Sequence, residues 1–482
     1  VPSRISSRLR PGYHVTCAGY LNDPNGLIDH AGTYHLFYQH HPESCPSDWW
    51  NKLWAHATSP DLLHWTAQGI ALRPDTPGVD ALGCWSGGVV IDAGTPTALY
   101  TGLRPLPGGG RQQVLALARG DVALGTWRKA PQPCAVADLE MPPDGTFRDP
   151  FVWRQGPGWR AVIAGHHQGA EGVLLLESPD LRSWTNRGAL VTLDAPDLAQ
   201  PYSVLECPNL FPLGGRDVLL VSQQLHWGVF YWVGTLSGER FTHGAWRAFA
   251  PNSRLYAPLT FVDRQDRRIL IGYIEEARSE AAIAQAGWCN TMTVPMQLSL
   301  DSQGVLAAQP VDELTRLRGE GLLVRPNTPI TALPMLLEGL RGAQVEIEAC
   351  FDIRLAQGLF IDVLCHPDGS EYTRVSWERD AGRLWVDASH ASQDPTANDE
   401  GGNRRKSPDA HHWFQAPADG RLTVRIFVDR SLVEVFAHGR YVNQRAYPLH
   451  EDSCRVRVSA IGAARLVSMT MWPMASTRSE AW

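Results

Sequence analysis

Ser59-Pro60-Asp61-Leu62-Leu63-His64-Trp65 returns as Ser178-Pro179-Asp180-Leu181-Arg182-Ser183-Trp184, with five of the seven positions identical. After each copy the chain runs in parallel, Gly69-Ile70-Ala71-Leu72 against Gly188-Ala189-Leu190-Val191. Ser59 to Ser178 is 119 residues, or two repeats of roughly 60, the length of a four-stranded propeller blade. Five such blades fill the first ~300 residues. Pro-Asp is turn chemistry, so Asp61 and Asp180 are read as structural turn residues.

The local pattern agrees. Thr33–Tyr38, Ala98–Thr101, Trp159–Ala164 and Asp217–Val221 are short apolar or alternating runs bounded by Gly, Pro, Asn or Asp, as in an all-β fold with tight connections. The best helix candidate is Glu275–Ala286. Prolines at 326, 329 and 334 mark a linker over 316–335. Beyond it Val345, Ile347, Ala349 and Phe351 alternate with polar residues, as do Leu422, Val424, Ile426 and Val428. Half-buried antiparallel strands of this kind predict a β-sandwich. The expected organisation is therefore a five-bladed β-propeller over 1–315, the linker, and a β-sandwich over 336–482. Asp394 to Pro408, with Arg404-Arg405-Lys406, reads as an exposed loop.

Composition narrows the function. The 482 residues are 44% hydrophobic and 19% charged, the profile of a folded chain. Net charge is −7, which argues against a nucleic-acid partner. No apolar run approaches the ~18 residues of a membrane helix, so no membrane association is expected. The 18 Trp supply core packing and flat amphipathic platforms suited to sugar faces. Nine cysteines, an odd number without C-x-x-C spacing, leave at least one thiol free and give no metal pattern. The sequence starts at Val1, so secretion, with a leader removed, is expected ahead of a cytoplasmic location. A monomer or a homodimer is expected.

Three acids share one setting. Tyr20-Leu21-Asn22-Asp23-Pro24-Asn25-Gly26-Leu27 holds a carboxylate between an amide and a proline. Phe147-Arg148-Asp149-Pro150 and Leu205-Glu206-Cys207-Pro208-Asn209-Leu210 repeat that grammar. Asp23 to Asp149 is 126 residues and Asp149 to Glu206 is 57, close to two blades and one. Equivalent strands of a propeller converge on its axis, so these carboxylates can meet at one end of the channel. Glycoside cleavage with retention needs two carboxyl groups about 5 Å apart. The short Asp23 suits the nucleophile, and the longer Glu206, its pKa raised by neighbouring carboxylates, suits the acid. Asp149, held ionised beside Arg148, suits stabilisation of the transition state.

These three motifs together resemble glycoside hydrolase family 32, the invertase and fructan-hydrolase family. Phe37-Tyr38-Gln39-His40-His41-Pro42, Trp54-Ala55-His56-Ala57-Thr58-Ser59, Cys84-Trp85-Ser86-Gly87-Gly88 and Tyr256-Ala257-Pro258 are similar to further family motifs. So is Asp429-Arg430-Ser431-Leu432-Val433-Glu434-Val435-Phe436 in the second half. The resemblance implies a propeller followed by a sandwich. It implies Asp23 as nucleophile, Asp149 as stabiliser, Glu206 as acid/base, and no metal or cofactor. It also implies a fructosyl pocket lined by Asn22, Gln39, Trp54, Trp85, Ser86 and Arg148, with sucrose or a fructan as substrate. Cys207 is expected behind Glu206, not as a nucleophile. His41, Ala55, Gly88, Phe151, Leu205 and Met296 depart from the common pattern, and the expectation is that they surround the pocket. The alternatives are a fructosyltransferase of the same fold and a non-catalytic fructan-binding protein. A sugar-phosphate hydrolase is disfavoured because no phosphate-cradling loop is present.

Overall fold

A computed structural model describes residues 8–139, 145–193, 204–224, 227–251, 253–394 and 414–477. Five antiparallel sheets follow one another through residue 310, each led by an innermost strand: Gly19–His30, Gly83–Asp92, Phe147–Gln155, Leu205–Leu213 and Leu255–Val262. These strands touch their neighbours in order, and the fifth touches the first, which closes a five-bladed propeller around an axis. Trp288–Cys289 adds to the first blade in parallel beside Gly19 and Tyr20, tying late chain to early chain.

The repeated heptapeptide is the turn at the outer edge of a blade. Asp61 Oδ1 accepts from the backbone N–H groups of Leu63 and His64, and Asp180 Oδ1 from those of Arg182 and Ser183. Leu62 and Leu181 take positive φ, 68° and 65°, and the carbonyl of each accepts from the indole N–H three residues on. The structure adds a third copy in the second blade: Leu124 has φ 56°, Trp127 Nε1 donates to its carbonyl at 3.1 Å, and Asp121 caps the turn. Two extra residues between Asp121 and Leu124 hide this copy from a direct comparison of sequences.

The remaining strands form one continuous β network built on two long strands, Gln344–Cys365 and Arg455–Pro473. They pair with each other along most of their length through four irregularities. The first half of Gln344–Cys365 also pairs with Arg421–Asp429, and the second half with Thr373–Glu378. Long strands that change partner at bulges are how a sandwich turns its corners. Between the layers Ile347, Phe351, Ile361, Trp377, Ile426 and Leu466 are fully buried.

Two expectations change. Part of the stretch read as linker is structured: Leu322–Leu323 and Thr328–Ile330 pair with Arg455–Pro473, the prolines being accommodated at a sheet edge. The helix is shorter than Glu275–Ala286 and spans Glu280–Ala286, capped by Ser279 and ended by Gly287 at φ 72°. Glu276 and Arg278 are held outside it by a buried ion pair at 2.7 Å, with Tyr447 donating to Glu276. The basic loop reading at Asp394–Pro408 falls almost wholly outside the described residues. The nine cysteines are free thiols, and no helix among the described residues is long and apolar enough to cross a membrane.

Candidate active site

Every innermost strand loses register at the same place. The irregularities fall within Asn22-Asp23-Pro24, Trp85-Ser86-Gly87, Arg148-Asp149-Pro150, Glu206-Cys207-Pro208 and Tyr256-Ala257-Pro258. Four of the five end in proline, which cannot donate to the ladder and restricts the residue before it. Asp149, Cys207 and Ala257 take φ of 64°, 47° and 44°, conformations uncommon for side-chain-bearing residues. Bulges of this kind re-aim side chains. Here they set two rings around the axis, the first residues of the tripeptides in one and the second residues in the other.

Contacts run within each ring. In the first, Arg148 Nη1 donates to Glu206 Oε1 at 2.9 Å, and Tyr256 Oη donates to Glu206 Oε2 at 2.6 Å. Arg148 also lies over Trp85, 5.5 Å from its ring centroid. In the second, Ser86 Oγ donates to Asp23 Oδ2 at 2.6 Å. Cys207 Sγ is 3.6 Å from both Asp23 Oδ2 and Asp149 Oδ2, and its backbone N–H donates to Asp149 Oδ2 at 3.1 Å. The three acids are thus gathered from the first, third and fourth blades around one thiol and one arginine.

Each acid is tuned differently. Burial raises the pKa of Asp23, opposed by Ser86 and by Asn22, whose Nδ2 donates to Oδ1 at 2.9 Å. Gln39 orders both helpers: its amide nitrogen donates to Ser86 Oγ and its oxygen accepts from Asn22. Burial also raises Glu206, against Arg148, Tyr256 and a 2.8 Å hydrogen bond from Gln224. The direction matches expectation, but the main cause is burial, with Asp23 contributing less. Asp149 departs from expectation. Burial outweighs Arg148 and moves it up to about 7, because the guanidinium hydrogen bonds to Glu206 instead. The Cys207 thiol is pushed well above its ordinary value by burial and the surrounding carboxylates, so it is a neutral donor, not a nucleophile.

The pocket residues divide in two. Asn22, Gln39, Ser86, Trp85 and Arg148 join these contacts directly. Trp54 does not. It is 0% exposed, packed against Phe37 and Tyr100, and its Nε1 donates to the Trp85 carbonyl at 2.9 Å, so it supports Trp85 from behind. The departures Gly88 and Phe151 also lie elsewhere, further along the channel.

Sequence reasoning missed Tyr256 and Gln224 on Glu206, Trp227 stacked on Tyr256 at 4.4 Å, and Trp50 stacked on Trp85 at 5.5 Å. Tyr256 had a signal, since Tyr256-Ala257-Pro258 is the same tripeptide carried into the fifth blade. Among the described residues no group of three or more His, Cys, Asp or Glu is arranged to hold a metal ion.

Comparison with known proteins places this arrangement. Residues 14–310 match the model of the glycosyl hydrolases family 32 N-terminal domain, and residues 313–473 that of the family 32 C-terminal domain. The chain is 31% identical to a sucrose-6-phosphate hydrolase of Escherichia coli, over 98% of this chain and 96% of that one. It is 30% identical to a cell-wall β-fructofuranosidase of Zea mays, over 92% and 86%. The fold is shared with fructan 1-exohydrolase IIa from Cichorium intybus, at a TM-score of 0.81 and 24% identity, covering 97% of this chain and 98% of that one. The chain belongs to glycosyl hydrolases family 32 and is an enzyme of the β-fructofuranosidase type.

Proposed function

We propose that the protein is a retaining hydrolase that releases terminal β-D-fructofuranosyl units from sucrose or fructans through a covalent fructosyl-enzyme. The propeller, to about residue 315, is the catalytic unit. The observation that carries this reading is the gathering of Asp23, Asp149 and Glu206 at one end of the channel, each with its own donors. Ser86 and Asn22 donate to Asp23 and favour its ionised form against burial, and in that form it attacks the anomeric carbon. Glu206, whose pKa burial raises, passes its proton to the leaving oxygen. Positive charge develops on the sugar ring, and the ionised form of Asp149 stabilises it. Glu206 then takes a proton from water, which attacks the same carbon and frees Asp23. Two inversions give retention.

The test is a product profile on sucrose, inulin and levan at low and high sugar, run beside Asp23→Ala and Glu206→Ala. Both variants lose nearly all fructose release while keeping the fold, and Glu206→Ala recovers partly on substrates with good leaving groups. Wild-type-like turnover in either variant refutes the mechanism, and oligomeric products as the main output reassign the enzyme to transfer. Sucrose 6-phosphate belongs in the same profile, because the Escherichia coli relative carries that substrate in its name. The observation that favours this second reading is Arg111, stacked on the half-exposed Trp50 at 3.9 Å, a cation for a phosphorylated leaving group to meet.

A further inference from the structure

The innermost strands continue past the acids. Just below them, Pro24, Pro150, Pro208 and Pro258 narrow the axis to a space of about 10 Å³. Past this waist the same five strands open into a chamber of about 770 Å³, over twenty times the size of a water molecule in the liquid. Its inner end is aliphatic, with Val89, Val152 and Leu210, and its walls carry Phe151, Trp153 and Phe211. The mouth lies among exposed hairpin residues such as Arg154, Gln155 and Val262.

Two polar groups in this chamber lack partners among the described residues. Arg268 Nε is buried with no hydrogen bond, and the guanidinium lies over Phe211, 4.7 Å from the ring centroid. Thr260 Oγ1, on a side chain 3% exposed, is equally unsatisfied. A half-buried charge without a salt bridge is costly, and burial, opposed only in part by Asp266, lowers the Arg268 pKa to about 10. Of the other charges, Arg160 pairs with Glu177, Arg154 lies 3.9 Å from Asp92, and Asp217, the chamber's carboxylate, keeps its charge while accepting from the Leu236 N–H at 2.7 Å. Gly88 and Phe151, two positions where this chain departs from the common family pattern, both face the chamber.

We propose that the chamber at the far end of the channel binds a small organic anion, its carboxylate or phosphate on Arg268 and Thr260 and its apolar body against the aromatic wall. Occupancy supplies the salt-bridge partner that Arg268 lacks among the described residues and fills space of ligand size. The waist, which Asp149 itself lines, is too narrow to pass a ligand, so a bound anion does not compete with substrate. The site is independent of the catalytic reading.

Titration calorimetry at fixed ionic strength tests it, with benzoate and phenyl phosphate as probes. Inorganic phosphate supplies the charge without the body, and benzyl alcohol the body without the charge. At least one organic anion binds one to one, at least tenfold tighter than either control, and saturating fructose leaves binding unchanged. Whichever head group binds tighter identifies the ligand class. Arg268→Met weakens binding at least tenfold, leaves fructose release unchanged, and melts no lower than wild type because it removes a half-buried charge that has no salt bridge. Thr260→Val, isosteric and without the hydroxyl, weakens binding severalfold and serves if Arg268→Met is poorly folded. Absence of binding by both probes, equal binding by the variants, equal binding of benzyl alcohol, or displacement by fructose overturns the proposal.

Discussion

The acids of the Asp429-to-Phe436 motif clamp the two domains together, and His14 is the cation between them. Asp429 Oδ2 lies 2.8 Å from His14 Nδ1, and Glu434 Oε2 lies 2.5 Å from His14 Nε2, with all three side chains out of contact with solvent. Asp429 also accepts from the backbone N–H groups of Gly12, Tyr13 and His14. Glu434 accepts from the Val294 N–H of the propeller and from the Tyr441 hydroxyl. Burial alone lowers the pKa of His14, but the two carboxylates outweigh it and raise it from 6.5 to about 9. Folded His14 therefore keeps its proton up to about pH 9, whereas the unfolded residue loses it near 6.5. Between those values the folded state binds the extra proton, so stability falls as pH rises. The contribution is complete below about pH 6.5 and gone above about 9. At about 1.4 kcal/mol per pH unit it amounts to roughly 3 kcal/mol.

His14→Gln removes the charge and leaves two buried carboxylates facing each other, which costs about 3–5 kcal/mol at neutral pH. The assay is the urea midpoint or melting temperature of wild type and variant from pH 6 to 10, read as a difference so that other titrating groups cancel. Wild type loses stability across pH 6.5–9 relative to the variant, and the two curves converge above pH 9. Parallel curves over that window, or a variant as stable as wild type at pH 7, refute the clamp.

Tyr256→Phe removes the 2.6 Å donor to Glu206, a hydrogen bond to a charged group worth about 1.5–3 kcal/mol. It moves the basic limb of kcat/KM on sucrose to higher pH, and an unmoved limb counts against Glu206 as the acid. With Asp149 near 7, kcat/KM falls as pH drops below neutrality. Asp149→Asn lowers the rate and moves that acidic limb to lower pH, and a limb that stays in place assigns it elsewhere. Trp50→Ala, at a half-exposed position, raises KM with little change in melting temperature. Trp54→Ala empties a core site and costs about 3–5 kcal/mol, and a Trp54→Ala that melts like wild type shows the placement of Trp54 to be wrong.

The propeller was legible because its turns are local. An aspartate that caps two backbone N–H groups and a leucine in the left-handed region need only a few consecutive residues, so two copies survived as near-identical words. The third is the same turn with two residues inserted before Leu124, a change that costs the fold little and the pattern everything. The linker boundary was less legible for a related reason. Leu322–Leu323 and Thr328–Ile330 are short edge strands whose partner lies more than a hundred residues away, and their prolines read locally as breaks. His14 was invisible altogether, since a histidine becomes a cation here only because two carboxylates over four hundred residues away enclose it.

The site follows the same division between what is local and what is assembled. The tripeptide ending in proline marks where four of the five inner strands bulge. It does not state which of the two rings a side chain joins. Asp23 and Asp149 occupy the second position, but Glu206 occupies the first, beside Arg148 and Tyr256. That offset gives the acids unlike neighbours. The second position places Asp23 and Asp149 against one neutral thiol, and the first places Glu206 between a guanidinium and a phenol. One residue of register on a single bulge is thus what makes chemically similar carboxylates fit for different roles, and moving Glu206 to position 207 would abolish the division while preserving the composition of the site.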